Sequence, residues 1–373
     1  MFTLILGAAS PSGLFLFLIL IAIVAMAYRF WPRSTPLDPK HQGKAHTHTC
    51  KFDAEEVRRT ALQPRPPVVM PIINAADARV QAALAGVQVQ PIKDTLRSLS
   101  GEVQVTAGGR TGVIASRNSF GKDIELALLL LEDFYRGLGI KTTRDPYTVR
   151  GRTYYNLVAE LPGKVNPEKV LIIGSHLDST AGSPSRAESL APGADDDGSG
   201  TASVMEIAKA LVKLPLGCTV RLLHFTGEEQ GLYGSYAYSD KVAAAKTNVV
   251  AMLQLDMVGW CAKPGNRLDI HDGKDKNGSH ALVGSFLANV SRYGINLKVV
   301  DTHNHAVDNR SDHAGFHDHG YKAVLISEEF TDDGFNPNYH STRDKVDTIN
   351  LPYVVEVVRL TIATAADLAD LQP

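Results

Sequence analysis

Apolar residues run along this chain in two rhythms, as short unbroken stretches and as longer segments with apolar positions three and four apart. The stretches "YYNLVAEL" (154–161), "KVLIIGSH" (169–176), "TVRLLHFT" (219–226), "NVVAMLQLDM" (248–257) and "KAVLIS" (322–327) are rich in β-branched and aromatic residues and predict strands. A further short strand is expected near 297–300. "KVLIIGSH" is apolar without alternation, as in a sheet covered on both faces. Helical spacing recurs at 123–138, 199–214, 234–245, 279–293 and 352–371. Gly139 suits the end of the first helix and Ser199 the N-cap of the second. Strands and helices in alternation predict an α/β fold with a mainly parallel central sheet and helices on both faces.

The amino terminus breaks that rhythm. "LFLFLILIAIVAMA" (14–27) is unbroken apolar sequence, and with the weaker stretch before it is long enough for a bilayer core of about 30 Å. It reads as a signal anchor or, with Ala25-Met26-Ala27 as a small-x-small site, as a cleaved signal peptide. Arg29, Arg33, Lys40 and Lys44 follow the segment and nothing basic precedes it, a pattern that favours keeping the rest of the chain in the cytoplasm. Residues 32–92 are rich in proline and polar side chains without a sustained period, and are expected to be a tether and lead-in. Within them "HTHTC", with His46, His48 and Cys50, reads as polar linker. The expected organisation is therefore 1–28 as anchor or signal peptide, 29–92 as linker and lead-in, and 93–373 as the folded domain.

Composition narrows the function. The 373 residues are 44% apolar and 21% charged, ordinary for a globular protein. A formal charge of -2 supplies no basic field, which argues against a nucleic-acid partner. Cys50, Cys218 and Cys261 are scattered, which argues against a disulfide scaffold and a thiolate zinc site. The glycines near Gly198 have no following lysine, so they do not make a P-loop, and Ser199 and Ser341 lack the setting of a nucleophile.

Acidic and imidazole side chains gather where the strands end. His176 and Asp178 follow "KVLIIGS", "PGADDDGSG" (192–200) enters a helix, and Glu228 and Glu229 follow 219–226 between Gly227 and Gly231. Asp256 ends 248–257, and His340 sits in the loop "NYHSTRD". Open α/β sheets bind ligands at the carboxyl edge, where these positions fall. A lone "EE" is usually a solvated loop. Here Asp178, Asp196, Glu228, Glu229 and Asp256 on one edge would repel each other without cations. Imidazole and carboxylate without thiolate suit zinc or a similar divalent ion with a position open to water. Two histidines and three carboxylates suffice for two ions if one carboxylate bridges them.

The motifs "GSHLDST", "APGADDDGSGTASVMEIAKAL", "FTGEEQGLYGS", "LQLDMVG", "RSDHAGF" and "NYHSTRDKVDTIN" resemble, in order, those of the zinc exopeptidase family of secreted bacterial leucyl aminopeptidase. Glutamate carboxypeptidase and glutaminyl cyclase are more distant members. The resemblance covers about residue 93 to the carboxyl terminus and implies a metallopeptidase catalytic domain acting on peptides. It implies that His176, Asp196, Glu229, Asp256 and His340 hold two Zn2+ with Asp196 bridging, and that the Asp196–Asp197 peptide is cis. It implies that Asp178 orients His176 and that Glu228 is the general base. The family's exported members favour a catalytic domain outside the cell, periplasmic or extracellular, against the basic residues at 29–44.

Two features qualify the resemblance. The secreted enzyme carries a cysteine pair ahead of its "SDH" stretch, and this chain has "HAVDNR" there, so the pocket wall differs. The five histidines of 301–320 suggest a second metal site, but Ser311-Asp312-His313 matches the start of the helix that walls the substrate pocket. Tyr339, just before His340, either lines that pocket or simply packs. An aminopeptidase is the leading expectation. The rivals are a carboxypeptidase with Arg310 or Arg343 clamping the substrate carboxylate, a one-zinc glutaminyl cyclase, and an inactive binding ectodomain, which the full ligand set disfavours.

Overall fold

The computed structural model describes residues 35–36, 68, 71, 75–302, 307–330 and 333–372. The apolar segment 14–27 and "HTHTC" lie outside the described residues. Among the described residues no helix is long and apolar enough to cross a membrane.

At the centre, β6 (Asn166–His176) runs parallel to both β7 (Cys218–Phe225) and β8 (Asn248–Leu255). Outward from β8 lie β11 (Ala323–Ser327), parallel to it, then β9 (Arg267–His271), antiparallel to β11, and β10 (Lys298–Thr302). Outward from β7 lie the antiparallel β5 (Arg152–Leu161) and β4 (Lys141–Val149), with the two-residue β1 (Thr35–Pro36) on β4. The nine-stranded order is β1-β4-β5-β7-β6-β8-β11-β9-β10. A small hairpin, β2 (Gln104–Ala107) with β3 (Arg110–Val113), stands apart. The carboxyl ends of β6, β7, β8 and β11 thus open on one edge, and those of β9 and β10 on the other.

The unbroken apolar run of β6 is explained by its two covered faces. Leu171 and Ile173 enter the main core, while Val170 and Ile172 pack with Leu223, Phe225, Tyr238 and Phe316 on the opposite face. The main-core face carries α3 (Ile124–Gly137), α4 (Gly198–Leu211), α6 (His280–Tyr293) and α8 (Leu351–Leu368). The other face carries α5 (Tyr233–Ala244) and the short α7 (His313–Asp318). α3 closes with Gly139 at φ +71, which lets its N–H reach Arg136 O at 3.0 Å and Ile140 N–H reach Tyr135 O at 2.9 Å. α4 is capped two residues earlier than the sequence suggests. Asp197, not Ser199, is its N-cap and accepts from Gly200 N.

The packed body also begins before residue 93. α1 (Ala78–Ala85), α2 (Val89–Leu99) and the connection between them bury Val80, Leu84, Val87 and Ile92 in the main core, and residue 93 falls inside α2. The break at Gly86 separates two short helices, and in α2 the apolar Val89, Ile92, Leu96 and Leu99 recur three and four apart. β4 was hard to read, because Pro146 and the charged Lys141, Arg144 and Asp145 interrupt it.

Candidate active site

The strand ends deliver the side chains. His176 is the last residue of β6, Asp256 follows β8, and Glu228 and Glu229 follow β7 across a tight turn. That turn needs Gly227, whose φ is +75 and where a Cβ would come within 2.6 Å of the Tyr147 hydroxyl. Both amides of the turn point at one acceptor, with Glu228 N and Glu229 N each 3.3 Å from the Asp178 carboxylate. Asp178 faces both the turn and His176. Its carboxylate braces the glutamate turn and lies 3.8 Å from His176 Nδ1, while its main-chain carbonyl meets that nitrogen at 3.0 Å.

The three consecutive aspartates divide their work. Asp195 accepts from Ser199 Oγ, Gly259 N and Asn336 Nδ2 at 3.1, 2.8 and 2.6 Å. Asp197 accepts from His176 N, Gly200 N and Met257 N at 3.0, 2.9 and 3.2 Å. Asp344 takes the amides of Asp195 and Asp196 at 2.9 and 3.0 Å. With its neighbours pinned, Asp196 alone turns into the cleft, and the Asp196–Asp197 peptide is cis.

There the carboxylate of Asp196 stands between two imidazoles. His176 Nε2 lies 3.1 Å from Asp196 Oδ1 and 3.5 Å from Asp256 Oδ1, while His340 Nε2 lies 3.1 Å from Asp196 Oδ2 and 2.9 Å from Glu229 Oε2. Two triads result, His176–Asp196–Asp256 and Asp196–Glu229–His340, both buried and sharing Asp196. Asp196 Oδ2 and both Glu229 oxygens are buried without an aligned hydrogen-bond donor among the described residues. Ligands tetrahedrally arranged around one zinc lie about 3.3 Å apart, from zinc–ligand distances of about 2.0–2.2 Å. The observed spacings of 2.9–3.5 Å come within a few tenths of an ångström of that value, and the buried oxygens left without an aligned donor are the acceptors a divalent cation would satisfy. His340 sits at φ +49, a left-handed conformation for a residue with a side chain.

Burial dominates the electrostatics. It pushes the Glu229 carboxyl up to about 7. Burial, with Glu229 and Asp312 nearby, pushes Glu228 well above the usual carboxylate range. Burial acts against charge on His176 and His340, yet Asp256 and Glu228 raise the first and Glu229 and Asp196 the second. Burial alone would raise Asp196, but His176 and His340 outweigh it and hold this carboxyl well below its ordinary value.

The solvent-open cleft is lined by His176, Asp196, Glu228, Asp256 and His340, with Met257, Phe330, Phe335 and Tyr339 as an apolar wall. The Tyr339 ring stacks on His340, centroids 3.7 Å apart and planes 18° apart. Arg310 lines the cleft, whereas Arg343 lies on the surface with its guanidinium toward Pro337 O. Of the histidine-rich segment, His313 and His317 are buried on α7, His319 pairs with Asp240 at 2.6 Å, and His303 and His305 lie outside the described residues. Sequence reasoning passed over Asp344, Asp195 and Asp197 as braces, and Arg117 behind them. Asp344 stood within the quoted "NYHSTRDKVDTIN", but only the folded loop shows that it holds two amides.

A mostly parallel sheet whose carboxyl edge gathers imidazoles and carboxylates into two triads that share Asp196 is an α/β fold with donors suited to divalent metal. The sequence profile of peptidase family M28 matches residues 156–365, and the chain belongs to that family. It is 33% identical over 218 residues to a protein named probable leucine aminopeptidase from Arthroderma otae, covering 57% of each. The chain thus spans a little over half the length of that curated relative. In fold it is similar to the LapA aminopeptidase of Legionella pneumophila, with TM-score 0.66 and 22% identity over 84% of this chain and 79% of that one. It is also similar to a glutaminyl cyclase from Macrostomum lignano, with TM-score 0.63 and 17% identity over 83% of this chain and 99% of that one.

Proposed function

We propose that the chain is a two-zinc aminopeptidase, with His176, Asp196, Glu229, Asp256 and His340 as ligands and Glu228 as general base. The observation that carries this is the pair of triads joined at Asp196, with Glu228 in the same cleft. The named aminopeptidase relatives support the choice of reaction.

When bound, two divalent ions would supply Lewis acidity to an attacking water and to the scissile carbonyl. The protein's own side chains do the rest. Glu228, 3% exposed, is shielded from bulk water and raised in basicity by burial, which suits it to take the water's proton at a carboxylate oxygen and return it to the departing amine. Asp178 holds the turn that aims Glu228, through the two amide bonds at 3.3 Å. Asp197 holds the His176 main chain at 3.0 Å, so the imidazole faces Asp196 and Asp256. Met257, Phe330, Phe335 and Tyr339 present an apolar surface to the substrate's amino-terminal side chain.

A carboxypeptidase draws support from Arg310 in the cleft, and a glutaminyl cyclase from the shared fold. A panel of amino-acid anilides, carboxyl-blocked peptides and free peptides separates the readings, with zinc content measured on the same samples. The proposal expects cleavage of anilides and blocked peptides with close to two zinc ions bound. Cleavage confined to free carboxyl termini, or cyclisation of amino-terminal glutamine with a single ion, would overturn it.

We further propose that residues 2–27 take the chain to a membrane with its catalytic domain on the outer face. Protease shaving that leaves the carboxyl terminus protected on the cytoplasmic side would refute this.

A further inference from the structure

We propose that Arg117 is a positioning residue for the metal-binding cleft, locking the loops that carry His176 and Asp196 into one register. The inference rests on the reading of His176, Asp196 and Asp256 as ligands.

Arg117 lies between β3 and α3 and is fully buried, 0% exposed. A buried guanidinium usually meets a carboxylate directly. This one instead spreads its donors over four main-chain carbonyls. Nε donates to Leu177 O at 2.7 Å, Nη1 to Leu99 O at 2.9 Å and Pro192 O at 2.7 Å, and Nη2 to Gly193 O at 2.7 Å.

These acceptors fall in three segments. Leu177 sits between the ligand His176 and the brace Asp178. Pro192 and Gly193 open the loop that ends in Asp196. Leu99 is the last residue of α2, the anchor. None of the four carbonyls is paired in the central ladder, so the guanidinium binds connections and not the sheet itself.

The fit is close. A Cβ on Gly193 would come 3.0 Å from Arg117 Nη2, and Gly193 adopts φ +50. Ser179 completes the brace, its hydroxyl accepting from Arg117 N at 3.2 Å and donating to Ala191 O at 2.8 Å.

Charge supplies the second part of the role. Burial lowers the Arg117 pKa, opposed by Asp344, Asp197, Asp178 and Asp196. One fixed cation thus stands behind the acidic wall, where a neutral side chain would leave the carboxylates to repel one another. Lysine keeps the charge but gathers three donors on one nitrogen, and cannot span the same three segments. Being fully buried, Arg117 has no surface for substrate.

The test compares the parent protein with Arg117→Lys, Arg117→Gln and Ser179→Ala. Zinc affinity is measured by competition with a chromophoric chelator, beside unfolding temperature and the kcat and KM for an aminoacyl anilide. Removing partners that orient ligands typically weakens metal binding by about 10–100-fold. We expect that loss in both Arg117 variants, larger in Arg117→Gln, with KM nearly unchanged and kcat partly restored by saturating zinc. Ser179→Ala should show a smaller loss of the same kind.

A merely structural role lowers the unfolding temperature and leaves zinc affinity of the folded protein alone, and that result in Arg117→Lys overturns the proposal. A loss confined to KM overturns it too. If neither Arg117 variant folds, Ser179→Ala decides, and parental zinc affinity there refutes the brace. A parent that binds no zinc refutes the ligand reading, which is a separate failure.

Discussion

His224 offers a quantitative test of how this fold handles acid. Its ring lies in β7, 0% exposed, with Nε2 2.7 Å from the Tyr135 hydroxyl and Nδ1 2.9 Å from Ser175 Oγ. Burial lowers its pKa to about 3, against about 6.5 for an unfolded histidine. The native ring therefore stays neutral over a range in which the unfolded chain takes up a proton. The depressed folded value means that the stability it supports is complete above about pH 6.5 and is lost progressively as pH falls toward 3. At pH 5 the unfolded ring has gained about 1.5 pH units of protonation at ~1.4 kcal/mol each, a loss of roughly 2 kcal/mol. His271, held between Ser327 Oγ and Thr302 Oγ1 and also lowered to about 3 by burial, adds a loss of the same sign. The assay is urea unfolding of the parent and His224→Gln from pH 7.5 to 5. Glutamine keeps hydrogen-bonding ends without titrating, and the comparison at each pH cancels the groups common to both proteins. The stability advantage of the parent should shrink by about 2 kcal/mol over that interval. A difference independent of pH would refute the assignment of His224 as a buried neutral ring.

Glu228→Gln should retain its metal and fold while kcat falls by about 10²–10⁴-fold, read by elemental analysis beside turnover; loss of metal would reverse the two glutamates' roles. Glu229→Ala should lose one of two ions and recover partly in excess zinc, because the Asp196–His340 pair is left one ligand short; full metal content in this variant would remove Glu229 from the ligand set. Chelation should abolish anilide hydrolysis and added zinc should restore it, and an enzyme that stays active while elemental analysis finds no metal would exclude the whole centre.

Periodic burial is what the sequence by itself determined. A strand covered on both faces must be apolar throughout, and a helix packed on one side must repeat at three and four, so β5, β6, β7, β8, β11 and five of the helices were legible. Charged and imidazole residues stood out where those runs stop, at His176, Glu228, Glu229 and Asp256, since nothing in a core tolerates them unpaired. What only the tertiary structure decided is how the loops are tied together. That Asp344 holds the amides of Asp195 and Asp196, that the Asp178 carboxylate serves the glutamate turn, and that Arg117 spans Leu99, Leu177 and Gly193 are hydrogen bonds between segments far apart in the chain. Such bonds leave no period in the sequence, because each depends on where two independently folded connections meet.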